Sequence, residues 1–338
     1  MKKIIAITFV FQIYNFGLAQ PSFKNVFYDS TISFRALSIV DDSVIWVGGN
    51  NGKIGRSFDG GKTWKIKTIT GFENSDFRSV YAFSKTSVII ATTSTPACVL
   101  RTTDGGKQWL QVYKSDNPLT FIDGIDFWDS ESGIIYGDPI DNKMQILLTF
   151  DRGFNWKPLL KGNEPILDTG EASFAASGTT IRCIGEKDVL IATGGKNSRI
   201  FLPGENLQRW HSILTPVLRG KESQGIFSIA CLNLKQMIIV GGDYLNETQA
   251  QNHVFYTKDG GKTWLYPKTP TKGYRECVEY LSPKIAVAVG PTGSELSKDG
   301  GKNWESIENG SNFHVIRKAR NGNLVIAAGK GRIAVFNR

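Results

Sequence analysis

Short, unbroken apolar runs recur at 44–48, 88–92, 134–137, 189–194, 237–241, 285–290 and 324–329, each closing on Gly or Thr. A run of this length, rich in Val and Ile, suits a strand covered on both faces. A further strand precedes each run, beginning near Phe34, Phe77, Phe121, Ile181, Phe227, Tyr274 or Phe313. No apolar stretch after the first twenty residues is long enough to span a bilayer.

A second pattern punctuates the first. Segments 57–64, 102–109, 149–156, 257–264 and 297–304 all read Ser/Thr-x-Asp-x-Gly-x-x-Trp. Their aspartates, Asp59, Asp104, Asp151, Asp259 and Asp299, stand 45, 47, 108 and 40 residues apart. Glu205 falls midway in the longest interval, with Trp210 at the Trp position and Pro203 and Leu207 where the hydroxyl and the Gly belong. This reads as a decayed sixth copy. A repeat of roughly 40–50 residues with four strands per unit predicts a propeller. The expected fold is all-β: one domain over 20–338, a seven-bladed β-propeller of four-stranded antiparallel blades. The run 23–28 is expected to pair with the last strand, around 332–336, and close the ring, removing two open sheet edges.

The boxed aspartates look like catalytic acids, but the spacing predicts a turn staple. The carboxylate accepts backbone N–H bonds of its own turn, the Gly supplies a positive φ, and the Trp fills the groove between neighbouring blades. Lys62, Lys107, Lys262 and Lys302 are then solvated turn residues rather than a nucleic-acid stripe.

Charge and composition narrow the field further. The 40 Lys and Arg outnumber 31 Asp and Glu, for a net charge of +9, which suits an anionic ligand without selecting nucleic acid. Lys2 and Lys3, the apolar run 4–13, and the small residues Gly17 and Ala19 read as a signal peptide over 1–19, cleaved before Gln20. The expected localisation is periplasmic or secreted. Three isolated His and four scattered Cys predict neither a metal centre nor a disulfide scaffold, and no phosphate-cradling Gly motif points to a cofactor. Oligomeric state has no signature in the sequence.

The repeats resemble the Asp-box (BNR) repeats of sialidases and related propellers. The unit 125–137, with Phe127, Asp129 and Gly133, resembles more closely the bacterial propellers related to the photosystem II stability/assembly factor, as do the stretches 137–141, 170–179, 225–228, 242–244 and 290–293. That resemblance implies a binding or assembly scaffold with a protein partner.

All these stretches fall in loops expected on one face, the entrance to the innermost strands, and the boxes on the other. Residues beside the starts of those strands are Arg35, Arg78, Asp123, Arg182, Arg275 and His314. Arg35, Arg78, Arg182 and Arg275 could ring one channel mouth and hold a carboxylate or phosphate. Asp138, Glu171, Asp243 and Tyr244, from the longer loops, complete the candidate set, either as partners of the arginines or as ligand contacts. The function read from these features is an exported scaffold for an anionic group on a protein or polymer. The alternative is a sialidase-like, glycan-active hydrolase or lyase on the same face, with Tyr244 and Glu171, or Tyr280 and Glu276, as the Tyr/carboxylate pair.

Overall fold

The computed structural model describes residues 20–338. The proposed signal peptide, 1–19, lies outside the described residues. Among the described residues no helix is long and apolar enough to cross a membrane. The chain is a β-propeller made almost wholly of antiparallel strands. Each apolar run forms the second strand of its group; Ile45–Gly49 and Val88–Thr92 are buried along their whole length. The innermost strands Phe77–Ala82, Ile122–Phe127, Ile181–Ile184, Gln224–Cys231, Cys277–Ser282 and Phe313–Lys318 face the central channel, together with the second half of Ser22–Ile39.

The expectation of seven separate four-stranded blades is corrected. The strands hydrogen-bond into six sheets, so the propeller is six-bladed, with one six-stranded sheet supplying two of the innermost strands, Phe313–Lys318 and the second half of Ser22–Ile39. The physical reason lies at the ring closure. Ser22–Ile39 is a single 18-residue strand where the periodicity implied a break. Its first part pairs with the last strand, Val325–Asn337, through Phe23↔Phe336 and Tyr28↔Arg332. Its second part pairs with Ile45–Gly49 through Leu37↔Val47. Two repeats thereby merge into one six-stranded sheet, and the N-terminal strand does close the ring. Another sheet is five-stranded because Glu171–Ala172 and Gly194–Gly195 add to the edge of Gln224–Cys231. Asp138, expected in one of the longer loops, lies in a strand instead. Gly133–Ile140 and Lys143–Thr149 run on to a tight hairpin with Asp141 and Asn142 at positive φ, as a two-residue hairpin turn requires.

The boxes form as the residue pattern requires. In the first, Ser57 Oγ donates to Asp59 Oδ1 at 2.8 Å, Gly61 N–H donates to Ser57 Oγ at 2.9 Å, and Thr63 N–H donates to Asp59 Oδ1 at 2.9 Å. The same bonds recur around Asp104, Asp151, Asp259 and Asp299. Hydrogen bonds from Thr63 and Thr263 draw Asp59 and Asp259 down to about 2. The Trp residues pack across sheet boundaries: Trp109 meets Trp46 edge-on at 6.4 Å, and Trp304 is buried against Ile238 and Val240. All four cysteines are free.

Candidate functional site

The two ends of the channel are built differently. At the entrance of the innermost strands, residues 173–180 cross the opening as a plug. Ser173 N–H donates to Asp138 Oδ1 at 3.0 Å. Arg35 Nη1 donates to Ala176 O at 3.2 Å, and Ser177 Oγ donates to Glu276 O at 2.9 Å. Thr179 Oγ1 donates to Ser228 Oγ at 2.7 Å, and its carbonyl accepts Ile229 N–H at 3.0 Å. Gly178 has φ +63, and a Cβ there would lie 2.9 Å from Arg78 O. The segment needs Gly at this point both for its backbone angle and for the close approach. Ala176, Ser177, Thr179 and Thr180 are buried.

Most of the candidate residues gather around this plug. Arg35 Nη1 pairs with Glu276 Oε2 at 2.9 Å, and Glu276 also meets His314 Nδ1 at 2.8 Å. Burial pushes the Glu276 carboxyl up, but His314 and Arg35 outweigh it and hold it below its ordinary value. Arg78 Nε donates to Asp76 Oδ2 at 2.8 Å and its side chain remains about a third exposed. Arg275 is consumed: it is fully buried, pairs with Glu295 through Nε at 2.7 Å and Nη2 at 2.5 Å, and donates to Thr292 Oγ1. Glu171 at the root of the plug is taken by Arg199 and Thr193. Asp243 accepts from Gln224 Nε2 and Leu245 N–H. Tyr244 is exposed and rests edge-on against Phe174 and Phe227.

Asp123 stands apart from this bonded set. It is fully buried, and neither carboxylate oxygen has a hydrogen-bond partner. Burial, with Asp138 nearby, pushes its carboxyl well above the usual range against the pull of Arg78.

Arg182 does not join the other three arginines. Its Nε donates to Ile229 O at 2.7 Å and its Nη2 pairs with Glu279 Oε2 at 3.1 Å. It lies in a cavity of about 250 Å³ at the opposite end of the channel, among the C-terminal ends of the innermost strands. Four cationic residues line that cavity, Arg182, Arg317, Lys318 and Arg320, against two acids, Asp126 and Glu279. Arg317 reaches Glu279 at 3.4 Å, and Arg320 lies 4.5 Å over the Tyr81 ring. Burial raises both Asp126 and Glu279, with Arg182 opposing it in each case. A ring of four guanidinium groups at one mouth is therefore not formed. Sequence reasoning passed over Arg317, Lys318 and Arg320 because it inspected strand starts. The available signal was three bases within four positions at the end of an innermost strand.

The Tyr/carboxylate pairs of the hydrolase reading are not brought together. Tyr244 packs on aromatic rings while Glu171 is bound to Arg199. Tyr280 lines the open cavity while Glu276 lies beneath the plug. Among the described residues no group of three or more His, Cys, Asp or Glu is placed to hold a metal ion.

Fold and box geometry together define an Asp-box β-propeller. The chain resembles the photosystem II assembly factor-like propellers in particular: a family model described as photosynthesis system II assembly factor YCF48 matches residues 20–120. The structure of YCF48 bound to D1 peptide superposes with a TM-score of 0.70 at 17% identity, covering 95% of this chain and 98% of that one. YCF48 from Cyanidioschyzon merolae gives 0.69 at 16% identity, covering 94% and 99%. The GH74 enzyme of Niastella koreensis gives 0.60 at 13% identity, covering 90% of this chain but 52% of the enzyme. At these identities the structural likeness shows the fold. No curated protein matches the sequence.

Proposed function

We propose that this chain is an exported binding scaffold that recognises a protein segment through an anionic group. The observation that carries the reading is the open channel end, where Arg182, Arg317, Lys318 and Arg320 outnumber Asp126 and Glu279. Guanidinium groups held by a rigid ring of strands are suited to paired bonds with carboxylate or phosphate. Arg35 and Arg78, part-exposed beside the plug, form a second, weaker set for the same chemistry. The likeness to YCF48, one structure of which holds a peptide, supports a protein rather than a small-molecule partner. The signal-peptide reading of 1–19 supports export.

The test is calorimetric titration of residues 20–338 with a hexaglutamate peptide. Binding that the double substitution Arg317→Ala, Arg320→Ala weakens about tenfold or more, as expected for lost charge-assisted bonds, supports the reading. Unchanged binding in that variant moves the site to Arg35 and Arg78. No binding by the wild-type chain overturns the anionic specificity. Export is checked by fractionating cells that express the full chain; retention of an uncleaved chain in the cytosol overturns it.

A further inference from the structure

The decayed sixth box leaves a feature that the anionic reading does not use. In intact boxes the second glycine lies hard against the neighbouring sheet. A Cβ on Gly153 would sit 2.2 Å from Ile89, and one on Gly106 would sit 3.2 Å from Trp46. In the sixth copy Leu207 takes that position, at φ +59, with Asn206 at +55. Leu207 packs its side chain against the neighbouring core, beside Trp128, so the hairpin meets its neighbour through a side chain where the intact boxes do so through glycine backbone. A groove of about 450 Å³ opens between them.

The groove has a definite chemistry. Trp128 and Phe150 supply two aromatic faces from the neighbouring sheet. Trp128 is fixed by its Nε1, which donates to Asp188 O at 2.7 Å. Phe150 is 70% exposed, which leaves its ring face open to a ligand. Glu186, Asp188 and Glu205 line the groove against the single cation Lys187. An acidic aromatic groove on a chain of net charge +9 is opposite in sign to the open channel end.

We propose that this groove is a second binding site, taking a lysine or arginine side chain of a partner protein. Aromatic faces attract an ammonium or guanidinium through the negative ring face, and the flanking carboxylates complete its charge-assisted bonds. The box hairpins and the open channel end share one face of the propeller. A partner that presents an acidic and a basic segment could therefore engage both at once, so that neither site depends on the other.

The experiment is titration of residues 20–338 with a hexa-arginine peptide at low salt, beside cellotetraose as a neutral, ring-stacking control. Binding of hexa-arginine is expected, with Phe150→Ala and Glu205→Gln each weakening it about fivefold at unchanged Tm. Arg317→Ala should not weaken it, which separates failure here from failure of the anionic site. The proposal is overturned if hexa-arginine does not bind, if both groove variants bind it like wild type, or if cellotetraose binds and hexa-arginine does not.

Discussion

The two ends of the channel carry similar residue types in opposite states. At the plugged end Arg275 is buried with Glu295, and the part-exposed Arg35 joins His314 on the buried Glu276, which leaves Asp123 as the unpartnered group there. At the open end Arg182 and Arg317 share Glu279, while Lys318 and Arg320 hold only backbone carbonyls and the Ser38 hydroxyl, so the cations outnumber Asp126 and Glu279, whose pKa values burial has raised. Matched and dry, a charge serves folding; unmatched and accessible, it remains available to a ligand. A buried pair is not strong evidence of net stability, but breaking one is costly because the survivor is left unsolvated. An exposed cation with a part-time partner contributes little to folding. Arginine alone therefore says nothing of function until its partner and its exposure are known.

The largest effect should come from the plugged end. Glu295→Ala would strand Arg275, whose side chain is 1% exposed, and should cost about 3–5 kcal/mol in urea unfolding. A loss below about 1 kcal/mol would mean that the Arg275 guanidinium finds water or another acceptor, and the contrast between the ends would collapse.

Next comes Asp123. Its folded pKa is raised above the unfolded value, so the folded state binds the extra proton, and stability falls as pH rises above about 4 toward the raised value. Asp123→Asn removes that titration. Its Tm should exceed that of the wild type at about pH 8, with the difference shrinking toward about pH 4. A difference that does not change with pH would show that a hydrogen-bond donor reaches the carboxylate after all.

The open end responds in the same direction for a different reason. Asp126 and Glu279 also have raised values, so they take up protons early on acidification and leave the cations in greater excess. Sulfate should bind more tightly as pH falls through the raised values of these two carboxyls. Sulfate affinity independent of pH would place the anion outside this cavity.

How much of this was legible in the sequence follows from the range of the forces involved. The boxes were, because each is closed by bonds within eight residues of chain, such as Thr149 and Asp151 with Asn155. The burial of the second strands was, because continuous Val and Ile runs need cover on both faces. The sheet count was not. The periodicity cannot show that the chain stays extended between Tyr28 and Ser33, joining two repeats in one sheet. The stretch 170–179 was legible as an entrance-face loop, but its crossing of the opening as a plug was not, because only the fold brings Ala176 to Arg35, 141 positions away. Arg275 and Arg182 looked equivalent in sequence. Glu295 and Glu279, which separate their roles, lie 20 and 97 positions distant.

The smallest expected effect is the sharpest test of the contrast. Arg317 lies about a fifth exposed and shares Glu279 with Arg182, at 3.4 Å against 3.1 Å. Removing it leaves Glu279 paired through the shorter contact, so no buried charge is abandoned. Arg317→Ala should therefore change stability by less than about 1 kcal/mol, while lowering sulfate affinity at the open end. The two readouts must separate in this variant and move together in Glu295→Ala. If Arg317→Ala instead unfolds the chain as readily as Glu295→Ala does, the cations of the open end are structural like those beneath the plug, and the ligand must be sought elsewhere on the surface.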